Sequence, residues 1–168
     1  MDFVMIILRL IHILGGITWV GAALTLNYFI GPSVGATQEA GQQFMRHLML
    51  RTRFTNVLSI SAVLTVLAGL ALYARDSSAG PAWQSSGPGI GYGIGSAFAL
   101  VGLVCGMLVG ITSGALARLG ENIQGKPTNE QMAKLESLRK RLNLIGPFNV
   151  YSLIIAAALM AIARYLVF

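Results

Sequence analysis

The chain has 168 residues, 55% of them hydrophobic and only 11% charged, with a net charge of +6 and a mean hydropathy of +0.69. Ordinary soluble domains carry about a quarter charged residues, so this composition excludes a disordered chain and argues against a water-soluble globule. In so apolar a chain the surplus of Lys and Arg reads as membrane topology, and no nucleic-acid partner is expected.

A spanning helix needs about 20 apolar residues, so the length accommodates four spans and leaves no room for a separate soluble domain. The first runs over about 3–30, an almost continuous apolar stretch broken by Arg9 and His12. A cleaved signal peptide is disfavoured because no basic residue precedes the apolar run, and the segment is expected to be retained. Between Gln38 and Phe54 apolar residues recur at Phe44, Met45, Leu48 and Met49, with Arg46 and Arg51 elsewhere on the wheel, which predicts a short amphipathic helix at the membrane surface. The second span covers about 56–74, and a loop rich in Gly, Pro, Ser and Trp follows at 76–89. The third span covers about 90–116, with Gly95, Ala99, Gly102, Gly106, Gly110 and Gly114 on one face. Small residues at this spacing let helices approach closely, within the bundle or between copies of a homo-oligomer. In the next connection Thr128 and Gln131 have capping-box spacing. Met132, Leu135, Leu138 and Leu142 then form a stripe, so a helix is predicted to end before Gly146-Pro147. Its basic face either meets anionic headgroups or is a solvated extension of the fourth span, about 147–168. The predicted fold is an all-α, single-domain integral membrane four-transmembrane-helix bundle with short amphipathic cytoplasmic helices.

Nine of the twelve basic residues lie between spans one and two or between spans three and four. Basic connections stay in the cytoplasm, so both termini and the 76–89 loop are predicted outside, in a bacterial inner (plasma) membrane.

Ionisable groups inside a bilayer are costly and mark functional sites. His12 lies about 13 Å along the helix axis from Phe3, too deep for its ring to reach water, and Arg9 is on the same face one turn higher. Gly15 and Gly16 follow one turn below. A neutral imidazole is the usual protein ligand of haem iron; the glycines would clear room for a flat macrocycle, and Arg9 would pair with a propionate. The same spacing also fits a histidine that hydrogen-bonds a neighbouring helix. Met160 approaches the depth of His12 and is the candidate second metal ligand, the other readings being a core gap-filler, a five-coordinate haem or ligation shared between two chains. Met5 shares its helix with His12, and Met107 lies too deep. Arg75 and Arg164, near the outer ends of their spans, join Arg9 around propionates or a quinone headgroup, or else snorkel separately to the interface. Trp19 packs on a macrocycle edge or on span two. His47 reads as a surface histidine, and Cys105, the single cysteine, as a small buried residue.

The run Arg9-Leu10-Ile11-His12-Ile13-Leu14-Gly15-Gly16-Ile17-Thr18-Trp19-Val20-Gly21-Ala22 resembles the first-helix signature of the CopD-like membrane proteins, the superfamily of copper-resistance protein D and the HemJ-type protoporphyrinogen oxidases. Tyr28-Phe29-Ile30-Gly31-Pro32, Met45-Arg46-His47-Leu48 and Leu67-Ala68-Gly69-Leu70 extend the resemblance over roughly the first 75 residues. It implies a small helical membrane protein that binds haem b through His12 and takes part in redox chemistry. Where HemJ-type proteins place another histidine, this chain has Gly31-Pro32-Ser33.

The expected function is therefore electron transfer by a haem b protein, with quinone or a partner redox protein. His12 would ligate the iron, and Arg9, Gly16, Trp19, Arg75 and Arg164 would line the cofactor. The alternatives are a cofactor-free accessory subunit of a larger membrane complex and a copper-handling or small-solute transporter, the latter weakened by the lack of clustered Met, Cys or His in the spans.

Overall fold

The computed structural model describes residues 3–123 and 125–167. Every regular element among them is a helix. In chain order these are α1 (Phe3–Thr25), a π-helical turn (Leu26–Ile30), α2 (Gly31–Ala36), α3 (Gln38–Arg51), α4 (Phe54–Ser77), α5 (Pro81–Gln84), α6 (Gly87–Asn122), α7 (Asn129–Ile162) and a 3-10 turn (Ala163–Tyr165). Four segments are long and apolar enough to cross a membrane, Phe3–Ala36, Phe54–Ser77, Gly87–Asn122 and Asn129–Tyr165. In a hydrocarbon medium a lone segment can satisfy its backbone polar groups only as a helix, and the helical form of these stretches rich in Ile and Val is compatible with such a medium.

The predicted boundaries need three corrections. The first apolar helix does not stop near Ile30. It widens into a π turn in which the Gly31 N–H bonds to the Leu26 carbonyl, and it then continues as α2. Pro32, at the start of α2, has no N–H and its ring crowds the carbonyl one turn back; a turn one residue wider relieves that crowding. Second, the connection between the third and fourth spans does not end before Gly146; of its two readings, the extension of the fourth span is the one observed. It is the first half of α7, which runs through Pro147 without a break. Proline forfeits one helical bond and is tolerated where neighbouring helices enclose the freed groups; here Gly146 lies against Asn27, whose Oδ1 would be 3.0 Å from a Cβ at that position. Third, α6 continues past Leu116 to Asn122.

The capping box forms as the spacing predicts. Gln131 N–H donates to Thr128 Oγ1 at 3.2 Å and Thr128 N–H to Gln131 Oε1 at 2.9 Å. With 36 and 34 residues, α6 and α7 are each more than 50 Å long at about 1.5 Å per residue, against a hydrocarbon thickness of about 30 Å. Their far ends form a helical hairpin with Arg118, Lys134, Arg139, Lys140 and Arg141 exposed.

The most extensive packing is between α6 and α7 and between α1 and α4. In the first pair the small-residue stripe of α6 meets α7 of the same chain. A Cβ at Gly102 would lie 2.6 Å from Leu153 Cδ2, and one at Gly95 would lie 3.2 Å from Met160 Cγ. That part of the stripe is thus used within the chain, whereas Gly110 and Gly114 border open space. The two pairs join through a core of Trp19, Ala23, Ala62, Val150 and Leu153. The predicted amphipathic helix is α3, and it is tied to the C-terminal end of α6: Arg46 donates to the Gly120 carbonyl at 3.2 Å and Arg51 pairs with Glu121. Cations belong there, where the last carbonyls of a helix lack partners and its dipole is negative. Large apolar side chains such as Leu14, Ile17 and Ile111 are exposed on the outside of the bundle, a surface that suits lipid and would be a liability in water.

Candidate functional site around His12

His12 lies on the inward stripe of α1, against α4. Its Nδ1–H donates to the backbone carbonyl of Thr65 at 2.7 Å. A carbonyl can only accept, so the bond fixes the tautomer: the proton is on Nδ1, and in the neutral ring Nε2 carries the lone pair. The two nitrogens point away from one another, so Nε2 is directed away from the Thr65 carbonyl. It has no hydrogen-bond partner among the described residues and is not among the enclosed unpartnered atoms.

The seat of the ring is made by α4. A Cβ at Gly69 would lie 2.7 Å from His12 Cε1 and 2.9 Å from Nδ1, but 3.7 Å from Nε2. Only glycine leaves room for the imidazole edge at that position. One turn along, a Cβ at Gly15 would lie 2.5 Å from Thr65 Oγ1, and one at Gly16 would lie 3.6 Å from Thr65 Cγ2. Thr65 is 7% exposed, and its hydroxyl donates to the Ser61 carbonyl at 2.7 Å within its own helix. The space that Gly15 and Gly16 were expected to clear for a macrocycle is therefore filled by Thr65. The glycines bring α1 and α4 together instead.

The other expected contributors make no hydrogen bond to the imidazole among the described residues. Trp19 is 4% exposed in the core, with its Nε1 turned toward Gly106 of α6, 3.8 Å from where a Cβ would be. It packs with Ala62 of the second span and also reaches the other helix pair. Met160 lies against Gly95 of α6, and no hydrogen bond joins it to His12 among the described residues. Arg9 is exposed on α1. Arg164 stacks on the Tyr165 ring, 4.5 Å from its centroid, and donates to that phenol. Arg75 is exposed in the last turn of α4. His47 is exposed on α3, as expected of a surface histidine, and Cys105 is half-buried. No group of three or more His, Cys, Asp or Glu residues able to hold a metal ion occurs among the described residues.

Tested against haem, the donor chemistry fits at one point: a single imidazole with a fixed tautomer and an uncommitted Nε2. The glycine cradle does not fit, so any macrocycle would meet the ring from the side away from α4. Thr65 and Gly69, which seat the imidazole, were not picked out as site residues from the sequence. Gly69 falls in the Leu67-Ala68-Gly69-Leu70 stretch, and Thr65 is a polar residue in an apolar run; neither signal names a partner for His12.

Comparison of the chain with protein-family models, with curated proteins and with solved structures finds no match.

Proposed function

We propose that the chain is an integral membrane haem b protein acting in electron transfer, in which His12 Nε2 would hold the iron. The supporting observation is the Nδ1–H bond to the Thr65 carbonyl. Ligating histidines nearly always donate their other ring N–H to a carbonyl or carboxylate, which sets the tautomer and the ring orientation. A bound haem would supply one-electron chemistry. The chain's own residues do the rest: Thr65 orients the imidazole, Gly69 leaves room for its edge, and the exposed apolar side chains of α1, such as Leu10 and Ile13, would offer the macrocycle apolar surroundings. Arg9, one turn above, would offer a guanidinium to a propionate. A quinone or a partner redox protein would exchange the electron, the basic connections facing the cytoplasm of a bacterial cell.

The test is the optical spectrum of the protein purified after haem-sufficient expression. A Soret band that His12→Ala abolishes supports the assignment, and a spectrum without one overturns it. A second reading has its own observation. Thr65 fills the space beside Gly15 and Gly16, as expected if His12 simply pins α1 to α4 in a cofactor-free subunit of a larger membrane complex. In that case the protein is colourless, His12→Ala lowers its thermal stability, and it co-purifies with partner chains.

A further inference from the structure

Away from His12, the interior of the bundle holds a polar side chain with nothing to bond. Asn149 of α7 is 6% exposed, and its Oδ1 is fully enclosed without a hydrogen-bond partner. An unsatisfied acceptor of this kind is destabilising, the more so where water is excluded. Two features converge on it. One is the Nε1–H of Trp19, a donor with no acceptor among the described residues. The other is Gly106 of α6. A Cβ there would lie 3.4 Å from Asn149 Oδ1 and 3.8 Å from Trp19 Nε1, so the acceptor and the donor both border the face of this one glycine. No hydrogen bond joins the two directly.

We propose that Asn149 Oδ1, Trp19 Nε1 and the clear face of Gly106 form a binding site for one hydroxyl group. Its O–H donates to Asn149 Oδ1 and its oxygen accepts from Trp19 Nε1–H, completing both partners at once. The hydroxyl belongs either to a water molecule, which typically takes two to four polar partners in protein interiors, or to a small membrane-soluble molecule such as a hydroquinone. Bound there, it links α1, α6 and α7, and so joins the two helix pairs by a polar bridge. The site uses neither His12 nor any haem, so it stands or falls separately from the function proposed above.

The experiment uses the full chain in detergent micelles or nanodiscs with 15N-labelled tryptophan. Trp83→Phe identifies the Trp19 indole signal, and spectra are recorded with and without added trimethylhydroquinone. The Trp19 N–H is expected to show a cross-peak to water. Where the site prefers the organic hydroxyl, that peak gives way to one with the ring methyls of the probe. Asn149→Leu removes the acceptor, and Gly106→Ala fills the space with a methyl at ordinary contact distance; both are expected to abolish the cross-peak. Should Asn149→Leu fail to fold, Gly106→Ala carries the test alone. A Trp19 indole that contacts neither water nor probe overturns the proposal, as does a cross-peak that survives in Gly106→Ala.

Discussion

Gly69 is where a single atom decides most. A methyl there would be 2.7 Å from Cε1 of His12, closer than non-bonded carbons approach, and the same Nδ1–Cε1 edge is tied to the Thr65 carbonyl one turn earlier in α4. Overpacking of this kind costs about 1–3 kcal/mol, so Gly69→Ala is expected to lower the thermal unfolding temperature in detergent and to break the Nδ1 bond. Thr65→Val has the opposite expectation. His12 bonds to the backbone of Thr65 and not to its hydroxyl, so the valine variant keeps the imidazole in place and leaves any Soret band where it is in the wild type. A band that shifts in Thr65→Val would show that the hydroxyl matters to the site in a way the present geometry does not account for. The histidine itself was legible in the sequence because a titratable group in an apolar run stands out. Its partner was not: a backbone carbonyl has no side-chain signature, and only tertiary packing decides which one an imidazole meets.

At the scale of elements, four long helices were legible because 20-residue apolar runs admit no other structure in a bilayer. Their ends were not. The stretch from Asn129 to Asn143 reads as a separate amphipathic helix because its polarity changes sharply at Leu144, and Gly146-Pro147 looks like a stop. The structure carries the helix straight through, because good helix formers run from Glu130 to Leu142 and α6 packs along α7. The start of that helix was legible, since a capping box is a local motif whose two bonds are made within four residues. Replacing Thr128 by Ala removes the acceptor for Gln131 N–H and is expected to cost about 1 kcal/mol. Hydrogen exchange should show this as faster exchange confined to the first turn of α7, with the apolar half unchanged. Faster exchange reaching Asn149 would mean that the two halves of α7 unfold as one unit.

For the molecule as a whole, the expected orientation follows from charge asymmetry, and thiol labelling checks it. In a Cys105→Ala background, Ser78→Cys lies at the exposed α4 end and Ser137→Cys on the exposed flank of α7. An impermeant maleimide added to intact spheroplasts is expected to modify the first and to reach the second only after permeabilisation. The reverse pattern would invert the proposed topology and place the basic hairpin outside.

The connections at the two ends of the bundle are unequal. At one end lie α3 and the protruding halves of α6 and α7, and at the other only the short turn carrying α5. In the proposed orientation the polar bulk between the spans never has to be translocated during biogenesis. The connecting segment that must be pushed through the bilayer is small and nearly uncharged, so α4 and α6 can enter together as a hairpin, at little electrostatic cost and with modest demands on the insertion machinery.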